Sequence, residues 1–421
     1  MPDRDAFRRT IDQALGNRFL QTALDRATGS FKNTRTQAVA EYGDFEGLRR
    51  RAREAKDRVL ADLDLYLTRL EAAVTAAGGK VFWAEDGAAA IDYVVRLARE
   101  KGARRVVKGK SMTTEEIHFN PGLEKAGLEV FETDLGEYIV QLLGERPSHI
   151  IGPAIHKTKE EVGRLFEEKL GLEYTDNPEE MTRAVRQELR ARFLSADMGV
   201  TGVNFAVAET GTLVLLENEG NIRMSTTLPR VHVAVMGLEK VVADMTDLEP
   251  LLRILPLAAI GHRLPSYVSF LTGPGRVEGE GPEELHLVLL DGFRTRALAD
   301  PDYRQLLRCL RCGSCLNFCP VYRRLGGHSY PWVYSGPIGV ALTGAALGHA
   351  AARDVAGAST LCRACGQVCP VMIDLPGIIM KLRRLLARED PALGAPITAL
   401  ARGLASSLGF DLAGRLAGLA A

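Results

Sequence analysis

Cysteine is missing from the first 308 residues of this 421-residue chain, and all seven cysteines lie between Cys309 and Cys369. No disulfide can therefore staple the long N-terminal part. An odd number of thiols crowded into one stretch argues for metal rather than a disulfide framework. Net charge is missing too: 53 Lys and Arg balance 53 Asp and Glu, which gives no reason to expect nucleic acid or an anionic membrane as partner. No apolar run approaches the ~18 residues of a membrane span. The start, Met1-Pro2-Asp3-Arg4-Asp5, lacks the apolar stretch of a secretory signal. The expectation is a cytoplasmic protein without a transmembrane segment. A flavin or nicotinamide fingerprint is absent as well, because Gly273-Pro274-Gly275 lacks the G-x-G-x-x-G spacing.

What is there is enough apolar sequence, 46%, for a sizeable core. The length suggests two or three domains at roughly 100–200 residues each. Residues 1–75 read as helical, with Leu60, Leu63, Leu65, Leu67 and Leu70 on a broad apolar face, as in an arm packing on its own domain or on another subunit. From residue 80 the rhythm changes to short apolar runs alternating with amphipathic ones. Strands are predicted at 80–83, 104–107, 128–133 and 149–151, and helices at 88–100, 114–126 and 157–169. Alternation of this kind implies βαβ units and a mostly parallel sheet. Asn177-Pro178-Glu179-Glu180 is a helix start, with Asn as cap and Pro in the first turn, and that helix should reach residue 194. Strands at 203–207 and 212–217 flank Glu209-Thr210-Gly211, a tight turn that implies a hairpin. Further strands are expected at 231–236, 267–271 and 285–290. The resulting division is a helical region 1–75, an α/β domain 76–296, a cysteine-bearing helical domain 297–390 and a helical tail 391–421.

The first cysteine run, Cys309-Leu310-Arg311-Cys312-Gly313-Ser314-Cys315, continues to Cys319-Pro320. This is the C-x₂-C-x₂-C-x₃-C-P pattern of bacterial ferredoxins. Three cysteines with two residues between neighbours wrap a loop around three corners of a cube, and the fourth faces a different cube. A zinc site needs four ligands but not this asymmetric run ending in proline. The second run is Cys362, Cys365 and Cys369-Pro370. Superposing the Cys-Pro ends puts Cys369 on Cys319, Cys365 on Cys315 and Cys362 on Cys312, with Ser359 where Cys309 stands. Because the last cysteine of each run ligates the other cluster, one cluster takes Cys309, Cys312, Cys315 and Cys369. The other takes Cys319, Cys362 and Cys365, its fourth iron open, bound by Ser359 or water, or absent. The expected cofactors are a [4Fe-4S] cluster plus a second, [4Fe-4S] or [3Fe-4S]. The long spacer between the runs suits an α-helical ferredoxin domain.

Other stretches carry a family likeness. Lys110-Ser111-Met112-Thr113-Thr114-Glu115-Glu116-Ile117, Glu132-Thr133-Asp134-Leu135-Gly136-Glu137, Pro147-Ser148-His149-Ile150, Glu219-Gly220-Asn221, Gly326-Gly327-His328 and Trp332-Val333-Tyr334 together resemble the iron–sulfur subunit, the B component, of the bacterial L-lactate utilisation system. The resemblance implies an α/β domain related to the CoA-transferase and ribose-phosphate-isomerase folds, fused to an α-helical ferredoxin domain. It implies a part in oxidising L-lactate to pyruvate as an electron-transfer subunit rather than an enzyme alone, with a cysteine-rich A component and a second α/β component, C, as partners. The electron acceptor stays open. The alternative is a module that binds a small carboxylate or anionic cofactor, the clusters being mainly structural.

Lys108-Gly109-Lys110-Ser111 fails as a phosphate loop, since the pattern needs Gly where Arg104 stands. Lys110 and Ser111 nevertheless sit at a strand–helix junction, a natural anion pocket. Glu209, Thr210, Glu219, Asn221 and Arg223 are expected to face one cleft, Arg223 holding a carboxylate and Glu209 or Glu219 moving a proton. Asp134, Glu137, His149 and His156 are further polar candidates. His118, His232 and His286 are read as structural.

Overall fold

The computed structural model of the chain describes residues 4–275, 277, 279–389 and 402. The helical tail expected at 391–421 lies outside the described residues save for residue 402.

Among the described residues ten strands form two sheets: β1 Lys80–Ala84, β2 Arg105–Lys108, β3 Glu129–Glu132, β4 Met198–Gly202, β5 Phe205–Val207, β6 Thr212–Glu217, β7 Val231–Gly237, β8 Val241–Val242, β9 Tyr267–Leu271 and β10 Glu284–Leu290. The larger sheet runs β1-β10-β7-β4-β2-β3 and is parallel throughout. Its central strands are buried on both faces; β7 is buried at all seven positions. Val- and Leu-rich runs of this kind are what a parallel sheet covered on both sides requires. The smaller sheet runs β8-β5-β6-β9, with the expected hairpin pairing β5 and β6 antiparallel. Gly211, at φ +69, makes the turn, and its Cα packs so closely on Ala73 and Val74 that a side chain has no room there.

Several expectations are corrected. Residues 149–151 form no strand. The N–H groups of Ile151 and Gly152 turn to His149 Nδ1 instead of to a neighbouring strand, and the residues just before are tied to the cysteine-bearing half: Ser148 C=O accepts from Tyr322 OH at 2.7 Å, and the Arg146 side chain donates to the carbonyls of His328 and Tyr330. The helix expected over 114–126 is two, Met112–Glu116 and Phe119–Lys125, because His118 between them takes φ +51. Strands β4 and β8 are additional. The capped helix is Pro178–Leu194, with Asn177 Oδ1 accepting from Glu179 N–H.

The N-terminal helices pack on their own chain. Helix Arg18–Ala40 crosses the cysteine-bearing half, where Arg35 donates to the Val368 carbonyl. Arg49, on helix Phe45–Ala61, donates twice to the carbonyl of Cys369. One hydrophobic cluster runs from Phe45 and Leu48 through Leu251 and Ile254 to Leu316, Tyr334 and Ile379, so both halves share a core.

Candidate metal centre and the cavity beside it

Cys309, Cys312, Cys315 and Cys369 line one small cavity. The three remaining thiols sit together: Cys319 and Cys362 both act electrostatically on Cys365. All seven are free of disulfides.

The two runs repeat each other's backbone. Arg311 at φ +61 matches Leu361 at φ +55, and Gly313 at φ +73 matches Arg363 at φ +67. A short helix follows each, Ser314–Asn317 and Ala364–Val368. Non-glycine residues in this region cost roughly 1–3 kcal/mol each, and here each marks a bend that turns the next thiol inward. Backbone N–H groups point at sulfur: Arg311 to Cys309 at 3.4 Å, Tyr322 to Cys319 at 3.5 Å and Ile373 to Cys369 at 3.3 Å. Such donors stabilise thiolate and tune what it binds.

The thiols fit an iron–sulfur cluster better than one ion. Around a single zinc, thiolates at ~2.3 Å stand only ~3.8 Å apart. Among the described residues, the one trio of metal-binding side chains with all ligand atoms within 4.8 Å is Glu145, His156 and His328, not any three thiols. Within that trio His156 is already hydrogen-bonded to Glu145 at 2.6 Å, Glu145 also accepts from Lys157 at 2.9 Å, and His328 bonds the Arg146 carbonyl at 2.7 Å. Burial pushes the Cys369 and Cys365 thiols up to about 12, with neighbouring thiols adding to the shift. Burial raises Cys312, Cys315 and Cys319 too. Crowded, buried thiolates need positive charge between them, which bound metal supplies. Cys362 is exposed, and its thiol is lowered by a hydrogen bond from Thr360 and by the Ala364 N–H. The second trio therefore opens to solvent at Cys362, while in the first quartet Cys312 and Cys369 are buried and Cys309 and Cys315 half-buried. Ser359, the counterpart of Cys309, has its Oγ accepting from Leu361 N–H at 3.2 Å.

A larger cavity, about 340 Å³, adjoins the first quartet and shares Ile150, Leu310 and Arg311 with its lining. It lies beyond the C-terminal ends of the parallel strands: Lys110 and Ser111 follow β2, Asp134 follows β3, Gly202 ends β4 and Lys240 follows β7. Ligands of open α/β sheets bind at this edge.

The expected site residues separate. Lys110, Ser111, Asp134, Glu219 and Asn221 line this cavity. Ser111 Oγ accepts from Thr114 N–H at 3.3 Å, and Lys110 Nζ lies 4.0 Å from Glu137. Glu219 accepts from Leu135 N–H at 3.2 Å; burial, then the Asp134 charge, raises it to about 7. Glu209 does not join them. It lines a separate depression with Arg58, Tyr66 and Asp244, because the six residues of β6 carry the chain ~20 Å at ~3.4 Å each before Glu219 is reached. Thr210 stays with the turn, donating to Thr212. Arg223 lies over the Tyr267 ring, 4.8 Å from its centroid, and does not line the cavity. His149 is buried against Asn317 and Phe31, its imidazole held neutral by burial at about 3.

Sequence reasoning missed a buried charge network between sheet and cysteine loop. Arg294 pairs with Glu116 at 2.9 Å and with Glu239. Arg311 lies 3.6 Å from each of those carboxylates and donates to Tyr334 OH at 2.8 Å, which donates to Glu116 at 2.6 Å. Lys56 donates to the Glu239 carbonyl, and burial lowers its ammonium to about 7. No local pattern announces these partners; the only signal is that Arg311 stands inside the cysteine motif.

Residues 67–290 match the LUD domain and residues 305–373 the 4Fe-4S dicluster domain. The chain is 45% identical over 386 residues to the Uncharacterized electron transport protein YkgF of Escherichia coli, covering 91% of this chain and 81% of that one. It is 42% identical over 420 residues to Lactate utilization protein B of Anoxybacillus flavithermus, covering 98% and 88%. Against Lactate utilization protein B of Bacillus subtilis it is 42% identical over 389 residues, covering 92% and 81%.

Proposed function

Because the chain belongs to the lactate utilization protein B family, a LUD domain joined to a 4Fe-4S dicluster domain, we propose that it is the iron–sulfur electron-transfer subunit of a complex oxidising L-lactate to pyruvate. The observation that carries this is the convergence of four thiols on one cavity, with three more gathered beside it by a loop of the same backbone conformation. In this reading Cys309, Cys312, Cys315 and Cys369 hold a [4Fe-4S] cluster. Cys319, Cys362 and Cys365 hold a second, [4Fe-4S] or [3Fe-4S], with Ser359 or water completing a four-iron form. Bound clusters supply one-electron carriers.

The protein's own groups set the direction. The first quartet lies against the large cavity, the side for a donor, while the exposed Cys362 brings the second site to the surface, the side for a partner. Arg49, donating to the Cys369 carbonyl, and the Arg311 network hold the first loop rigid. The reading includes A and C components as partners, a cytoplasmic location, a CoA-transferase-like α/β domain at 76–296 and an α-helical ferredoxin domain at 297–390. A second reading, a module binding a small carboxylate or anionic cofactor beside mainly structural clusters, is favoured by the cavity at the strand ends.

Reversible reduction separates the two. Dithionite should bleach the visible absorption of anaerobic protein, and reoxidation should restore it; clusters that cannot be cycled without loss of iron would leave the binding module in front.

A further inference from the structure

Basic side chains surround the first quartet, and most are balanced by carboxylates. Arg49 pairs with Glu46 at 2.8 Å, Arg311 faces Glu116 and Glu239, and Lys56 and Lys240 lie in the field of Glu239. Arg35, on helix Arg18–Ala40, is different. It is 7% exposed, and among the described residues no carboxylate stands within ion-pair distance of it. Its guanidinium donates to the Val368 carbonyl at 3.0 Å, next to Cys369, and its buried Nε has no hydrogen-bond partner. The rings of Phe45 and Phe318 lie against it, centroids at 5.6 and 5.3 Å.

What acts on this cation is the quartet itself. Burial lowers the Arg35 pKa from its ordinary value, and the Cys312 and Cys369 thiols oppose that; Glu46 is the one carboxylate that acts on it, and Arg49 holds it. No cation acts on Cys319 or Cys362 of the second trio, whose shifts come from burial, backbone N–H groups, Thr360 and the neighbouring thiol. A buried cation without counter-charge is costly. Four thiolates around an iron–sulfur core supply that charge, and their complex becomes more negative on reduction. A fixed cation close by, in a weakly screening interior, favours the more negative state.

We propose that Arg35 is the counter-cation of the first cluster, favouring its reduced state and so raising its reduction potential while the second cluster's is left alone. This rests on the electron-transfer reading above and deepens it. The N-terminal helices, through one side chain that is not a ligand, make the cluster beside the large cavity the better electron acceptor.

An EPR-monitored redox titration of anaerobic, iron-loaded protein tests it, the first cluster's signal being the one that Cys309→Ser perturbs. Arg35→Met, close in length and neutral, should lower that midpoint by about 59 mV or more, a tenfold loss in the reduced-to-oxidised ratio at fixed potential. The second midpoint should stay in place. Arg35→Lys keeps the charge and should recover most of the shift. Arg49→Met, removing a charge already met by Glu46, should move the midpoint less than Arg35→Met does. An unmoved first midpoint in Arg35→Met, equal shifts of both clusters, or Arg35→Lys as low as Arg35→Met would overturn the proposal. Should Arg35→Met fail to take up iron, full loading of Arg35→Lys would show that the cluster needs the charge itself; failure of both would make Arg35 a packing residue and overturn it. Clusters that cannot be reversibly reduced in the parent would overturn this proposal together with the electron-transfer reading. A reducible first cluster indifferent to Arg35 overturns this one alone.

Discussion

Arg294→Met is the sharpest structural perturbation available. Arg294 is fully buried between the carboxylates of Glu116 and Glu239, themselves buried. Their charges hold the guanidinium pKa above its ordinary value against the opposing effect of burial. Removing one partner of a buried pair costs about 3–5 kcal/mol, because the other charge stays uncompensated. Here two carboxylates lose a partner, but Arg311 remains 3.6 Å from each and takes over part of the role. The lower end, about 3 kcal/mol, is therefore expected. Adding Glu239→Gln leaves Glu116, Arg311 and Tyr334 as a balanced set, so the double variant should be less destabilised than the sum of the two singles by about 1 kcal/mol or more. Urea unfolding at pH 7, followed by fluorescence and far-UV circular dichroism, measures all three. Because Arg311 stands in the first cysteine loop, Arg294→Met should also lose iron faster to a chelator. A single-variant loss below about 1 kcal/mol, or strict additivity, would refute the view that this network is one coupled unit tying sheet to loop.

Other expectations concern the second cluster and pH. Ser359→Cys should raise iron content at the Cys319/Cys362/Cys365 site and remove any oxidised-state EPR signal of a three-iron centre; unchanged iron would show that the superposition of the runs misplaces the missing ligand. His232 is buried at the β4–β7 pairing with its Nε2 2.8 Å from Thr201 Oγ1, and burial lowers it to about 3. Its folded pKa lies below the unfolded value of about 6.5, so the unfolded state binds the extra proton and stability falls as pH drops below ~6.5. At pH 5 the difference is ~1.5 units at ~1.36 kcal/mol each, about 2 kcal/mol. Glu219, raised to about 7, works in the opposite sense between about 7 and 4.5. The comparison therefore needs His232→Gln, whose stability loss between pH 7 and pH 5 should be about 2 kcal/mol smaller than that of the parent; equal losses would contradict a neutral buried imidazole.

Local signals were legible where chemistry is local. The cysteine spacing, the Asn177 cap, the hairpin at Gly211 and the alternation of strands and helices are all properties of contiguous residues, and each appears in the fold. The α/β core and the iron–sulfur region follow from them. What depended on distant partners was not legible. The stretch 149–151 has strand-like residues, yet the N–H groups of Ile151 and Gly152 turn to the His149 ring while the preceding Ser148 is held by Tyr322 and Gly327 of the cysteine-bearing half. The helix over 114–126 breaks because His118 adopts φ +51, which its sequence neighbours do not require. Glu209 and Glu219 look adjacent along the chain, but a strand stands between them. Lys240 sits in an apolar segment with nothing to mark it, and only the folded sheet brings it to the cavity beside Arg311.

Iron and acid-labile sulfide, determined together with low-temperature EPR on anaerobically purified protein before and after dithionite, test the central claim most directly. The account predicts about seven to eight irons per chain with matching sulfide and a signal that dithionite changes, as two ferredoxin-type clusters require. Zinc in place of iron, or neither iron nor sulfide after anaerobic reconstitution, would contradict it.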